Sequence, residues 1–130
     1  MISRVLQSTL KILLTTIDLM PDDKTLQQRA ESWASDALGP DHAHPHACAT
    51  KFFEDACELA QATGVSEATM LAMVSHEFER GPTRGLRHVV GDTAVALNVV
   101  AAKCGIDPQR TAEERLVEFL QNAKDNNLNG

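Results

Sequence analysis

Three acidic side chains, Glu54, Asp55 and Glu58, lie close together in the stretch from Lys51 to Leu59 (KFFEDACEL). On a helix, Glu54 and Glu58 stand one turn apart, and Asp55 lies three residues before Glu58, so the three carboxylates share a face. Like charges at this spacing cost an isolated helix a few tenths of a kcal/mol per pair. A hard cation such as Mg²⁺, which takes oxygen ligands, removes that penalty. The competing reading is a solvated acidic face on which Lys51 pairs with Asp55 across one turn. Phe52, Phe53, Ala56, Cys57, Leu59 and Ala60 cover the rest of the segment, which predicts an acidic face partly enclosed by protein.

A fourth acid, Asp92, stands in a helical segment dominated by apolar residues (Val89, Val90, Ala94, Val95, Ala96, Leu97, Val99, Val100). A carboxylate there needs a partner, because burying it unpaired is costly. Two explanations compete. Asp92 pairs with Arg84, Arg87 or His88, or it faces the acidic cluster and shares its cation. The second accounts for both sets of acids at once and is preferred.

Two further groups are candidates. His42, His44 and His46 alternate in the loop before this segment, with Cys48 nearby, and could bind Zn²⁺ or Ni²⁺; an exposed loop explains them equally simply. Arg80, Arg84 and Arg87 could contact phosphate, or pair with Glu77 and Glu79.

The elements that must position these residues are helices. Apolar residues make up 43% of the 130-residue chain and aromatics 4%, with no Tyr. The Val, Ile, Thr and aromatic runs that mark strands are missing. An amphipathic helix is expected over residues 2–20, ended by Pro21, with Asp22 or Asp23 capping the next. That second helix spans about Thr25–Leu38, followed by a loop over Gly39–His46. A third runs from about Ala47 to Thr63, and a fourth, capped by Ser66, to Arg80. A fifth covers about Thr83–Lys103. Asp107-Pro108, or Thr111 with Glu114, opens the last, which fades into a frayed tail at Lys124–Gly130. Short connections favour antiparallel neighbours around one core, so the expected architecture is a single all-α domain, an antiparallel bundle of about six helices.

The formal net charge of −6 argues against a nucleic-acid duplex as the main partner. Lys11 interrupts the N-terminal apolar stretch, which is also too short to span a membrane. Cys48, Cys57 and Cys104 form no disulfide framework, and Cys57 and Cys104 are expected to act as small hydrophobes. A reducing cytoplasm is the simplest setting.

The two acidic segments, in this order, resemble the MazG-like branch of the all-α nucleoside triphosphate pyrophosphohydrolases, in particular its short, phage-type members. The family motif is E-E-x-x-E on one helix and E-x-x-D on the next but one. Its first half is similar to Glu54-Asp55-Ala56-Cys57-Glu58 within KFFEDACELAQATG, and its second falls in His88-Val89-Val90-Gly91-Asp92. Arg80-Gly81-Pro82 and Ala101–Asp107 resemble the family's flanks, and the likeness spans about residues 25–120. It implies that Glu54, Asp55, Glu58 and Asp92 hold Mg²⁺, with Mn²⁺ an acceptable substitute. Glu54 and Glu58 would then be catalytic, and Lys51, Arg84, Arg87 and His88 would lie near the substrate. The implied reaction converts a (d)NTP or a modified nucleotide to its monophosphate and pyrophosphate, in a homodimer or homotetramer. Two residues depart from the motif. Asp55 replaces the second Glu, shortening its reach by one methylene. Val89 stands where the family has the Glu of E-x-x-D and cannot bind a metal; His88 is turned about 100° from it. A catalytically degenerate nucleotide-binding or assembly module is therefore the alternative, and a purely structural bundle the third reading.

Overall fold

In a computed structural model, residues 3–10 and 24–129 are described. All regular structure among them is helical, so the chain is all-α. Residues 4–10 form α1, with Val5, Leu6 and Leu10 exposed. The rest of the expected first helix, with Pro21, Asp22 and Asp23, lies outside the described residues.

The second helix, α2 (Leu26–Ala37), is started by Thr25. The Thr25 hydroxyl accepts from the Gln28 amide at 3.2 Å, and the Gln28 side chain accepts from the Thr25 amide at 2.9 Å. This capping box satisfies two amides that the first turn would leave unpaired. Gly39, at φ 75°, then turns the chain into a short 3₁₀ segment, Pro40–Ala43. The expected loop is therefore partly ordered, and α3 (Pro45–Ala62) begins two residues early, with Pro45 at a first-turn position that needs no amide donor.

Ser66 caps α4 (Glu67–Arg80), which Gly81 ends at φ 69°. α5 is shorter than expected, Leu86–Lys103, with Gly85 as its N-cap. Arg84 thus stands outside the helix. Asp107 caps α6 (Pro108–Leu128), its carboxylate accepting from the amides of Gln109 and Arg110 at 3.1 Å each. The expected frayed tail from Lys124 is helical as far as Leu128.

The best-packed pair is α2 against α6. Trp33 stacks on Phe119 with ring centroids 4.6 Å apart and planes inclined by 20°. The Arg115 guanidinium sits 4.6 Å from the same Phe119 ring and is held from the other side by Glu118. Arg29 Nη2 donates to Glu113 Oε1 at 2.5 Å, tying the same two helices. The C-terminal half of α5 reaches α6, where Ala101 and Leu116 are the buried apolar residues of the described set.

Among the described residues the contacts between helices are uneven. α3 packs on the 3₁₀ segment, and α4 has no substantial partner among the described elements. Sequence periodicity identifies the apolar face of each helix; it does not say whether another helix of the same chain covers it.

Candidate functional site: an acidic face on α3 and an ion-paired Asp92 on α5

α3 presents Glu54, Asp55 and Glu58 to solvent on one face. The expectation of a partly enclosed acidic face is corrected: these side chains are exposed, and among the described residues no other α-helix packs closely on α3. Lys51 is the counter-charge. Its Nζ lies 3.2 Å from Asp55 Oδ1 and 3.8 Å from Glu54 Oε2. The hydrogen bond and charge of Asp55 raise the Lys51 pKa above its ordinary value, with smaller contributions from Glu54 and Glu58. The Lys51 ammonium therefore pairs with two of the three acids, and a cation arriving there competes with it.

Asp92 sits near the start of α5, one turn after His88. Its partner is Arg84, whose Nη1 donates to Asp92 Oδ2 at 2.6 Å. His88 Nε2 is 3.8 Å from the same oxygen. Of the two explanations offered by the sequence, pairing with a nearby cation is the one observed. The reason is local: Gly85 starts the helix late, which leaves Arg84 on an extended turn able to fold back over the first turn. Both side chains are about half exposed, so the pair is a surface ion pair and no buried carboxylate has to be neutralised. Arg80 pairs with Glu77 at 2.6 Å, so Arg80 and Arg84 are each held by an acid of their own chain. Arg87, His88 and Val89 lie on the exposed first turn of α5.

The histidine loop is resolved into separate roles. His42 Nδ1 donates to the Leu38 carbonyl at 3.1 Å, closing the 3₁₀ turn. His44 is the N-cap residue of α3, and His46 lies in its first turn. The Cys48 thiol donates to the His42 carbonyl at 3.1 Å. Cys104, expected to be packed, is exposed at the end of α5, while Cys57 is half-buried.

All-oxygen donors suit a hard divalent cation, so the chemistry of Glu54, Asp55, Glu58 and Asp92 is right for Mg²⁺. Their arrangement in one chain is not. α3 and α5 do not pack together, and among the described residues no three His, Cys, Asp or Glu side chains converge closely enough to hold a metal ion. A shallow depression lined by Lys24, Gln28, Glu31, Ser32, Ser35 and Asp36 lies along α2 and contains none of the residues singled out from the sequence. No single helix among the described residues is long and apolar enough to cross a membrane.

Comparison with family profiles, characterised proteins and solved structures finds no match to this chain.

Proposed function

We propose that the chain is a nucleotide pyrophosphohydrolase of the MazG-like type, cleaving a (d)NTP or a modified nucleotide to its monophosphate and pyrophosphate. The observation that carries this reading is the face shared by Glu54, Asp55 and Glu58, three exposed carboxylates of which Glu54 and Asp55 pair with Lys51. Mg²⁺ is the proposed cofactor, with Glu54, Asp55, Glu58 and Asp92 as its ligands. Because the single chain keeps α3 and α5 apart, this reading requires the two helices to come together, with Arg84 displaced from Asp92.

The alternative is an assembly or nucleotide-binding module without turnover. Two observations favour it: Val89 offers no metal donor, and Asp92 is already neutralised by Arg84. Turnover separates the two. Purified protein is incubated with ribo- and deoxyribonucleoside triphosphates in Mg²⁺, in Mn²⁺ and in chelator, and the products are separated by ion exchange. Metal-dependent monophosphate release that is lost in Glu58→Ala supports the enzyme. Release that is unchanged in that variant sinks the assignment of the site, and no product across the panel favours the module.

A further inference from the structure

Two arginine–carboxylate pairs flank the turn between α4 and α5, and they are held differently. Arg80 and Glu77 stand three residues apart on α4, so helical pitch alone brings them together. Arg84 and Asp92 are eight residues apart, and pitch does not join them. Arg84 precedes α5, whose first hydrogen bond runs from the Val89 amide to the Gly85 carbonyl. Its guanidinium can therefore be re-aimed by a few torsions without breaking a bond of the helix.

The contact it would leave is weak. Both side chains are 52% exposed, and a pair this open to water holds by a factor of about five at most. His88 adds little, since its Nε2 is 3.8 Å from the oxygen that Arg84 already holds. A guanidinium fork matches phosphate as well as carboxylate, and its bonds to either are charge-assisted. A chain of phosphates offers more oxygens and more negative charge than the single carboxylate of Asp92. Arg87, exposed in the first turn of α5, brings a second guanidinium to the same end of the helix. For a polyphosphate the exchange is favourable.

We infer that Arg84 is an exchange residue: it rests on Asp92 when no nucleotide is bound and transfers to the triphosphate of a bound nucleotide, which uncovers the Asp92 carboxylate. The inference rests on the proposed nucleotide reading for the identity of the anion. It also supplies what that reading requires, a cause for Arg84 to leave Asp92. Asp92 is then an internal competitor that weakens anion binding. Linkage makes the two effects equal: whatever Asp92 costs the anion, the anion takes from the Arg84–Asp92 pair.

Calorimetric titration of the full-length chain with tripolyphosphate, in chelator so that no divalent cation contributes, tests this in a double-mutant cycle. Asp92→Asn is expected to tighten binding about two- to fivefold, and Arg84→Ala to weaken it at least about tenfold. The deciding arm is the double variant. If Asp92 acts through Arg84, Asp92→Asn changes nothing once residue 84 is Ala. A tightening of the same size there would make Asp92 a plain repelling charge and overturn the inference. So would an Arg84→Ala variant that binds tripolyphosphate like the unsubstituted chain, or a folded unsubstituted chain that does not bind it. Should a variant fail to fold, the Arg84 Nε–H NMR signal of the unsubstituted chain decides: it must move on saturation with tripolyphosphate. Turnover is not the readout. Coupling in a chain that hydrolyses no nucleotide upholds the inference, and a hydrolase without the coupling overturns it.

Discussion

Arg84 and Asp92 are joined by a 2.6 Å hydrogen-bonded ion pair that folds the turn before α5 back onto the helix's first turns. This pair answers why an acid is tolerated in an apolar helix: the carboxylate stands at its entrance, half exposed, with a guanidinium on it. The same contact places a guanidinium on one of the two Asp92 oxygens, where it would compete with a cation.

Exposed pairs of this kind contribute about 0–1 kcal/mol, because water screens them and ordering two long side chains offsets the attraction. Arg84→Ala and Asp92→Asn are therefore each expected to shift unfolding by no more than about 1 kcal/mol in urea melts. A loss of several kcal/mol in either would show that the pair is buried in the working assembly. If Asp92 is a metal ligand, Arg84→Ala should also tighten Mg²⁺ binding measured by calorimetry, since the competing cation is gone.

Lys51 competes in the same way on α3. Lys51→Met is expected to increase affinity for Mg²⁺, whereas Glu58→Ala should decrease it. Equal affinity in both variants would place any bound cation elsewhere.

The raised pKa of Lys51 has a definite sign in the pH dependence of α3. A cationic group whose folded pKa lies above its unfolded value adds stability that is fully present below the unfolded pKa and lost as pH rises through the folded one. The Lys51 contribution should thus be constant at neutral pH and disappear only above its ordinary value of 10.5. Side-chain NMR of Lys51 checks this: Asp55→Asn should lower its midpoint toward 10.5, because Asp55 is the principal cause of the shift.

Among the described residues, α2 and α6 pack on each other most closely. Leu116→Ala removes a buried side chain of α6 and is expected to cost about 2–5 kcal/mol. Phe119→Ala, which also loses the ring partner of Trp33, should cost about 2 kcal/mol or more. Because Trp33 is the chain's single Trp, its fluorescence reports directly on this contact. An unchanged Trp33 spectrum in folded Phe119→Ala would contradict the stacking.

Thr25→Ala breaks the capping box and is expected to cost about 1 kcal/mol, read as a lower urea midpoint for the Trp33 signal. Thr25→Ser, which keeps the hydroxyl, should restore most of it.

Helices, their order and most of their ends were legible in the residues, because those depend on near neighbours. Ser66 and Asp107 as caps, Gly81 as a stop and the sharing of one face by Glu54, Asp55 and Glu58 follow from spacings of one turn. Thr25 as the cap of α2 was less visible, since Gln28 is a weaker signal than Glu at the third position and two Asp residues stand nearby. The late start of α5 was obscured by its apolar run, although Pro82 and Gly85 both favour it. The Trp33–Phe119 stack and the Arg29–Glu113 bridge join residues more than 80 positions apart, and nothing local announces them.

The sequence by itself determined an all-α chain, an acidic face on α3 and an acid at the head of α5, since side-chain direction on a helix follows from its pitch. Only the tertiary structure decided which faces are covered. Apolar periodicity shows that a face must be buried and is silent about what buries it; among the described residues α2 packs on α6, α3 on the 3₁₀ segment, and α4 on no element to any extent. It is that difference, a matter of long-range packing, that leaves Asp92 apart from the three acids of α3 among the described residues.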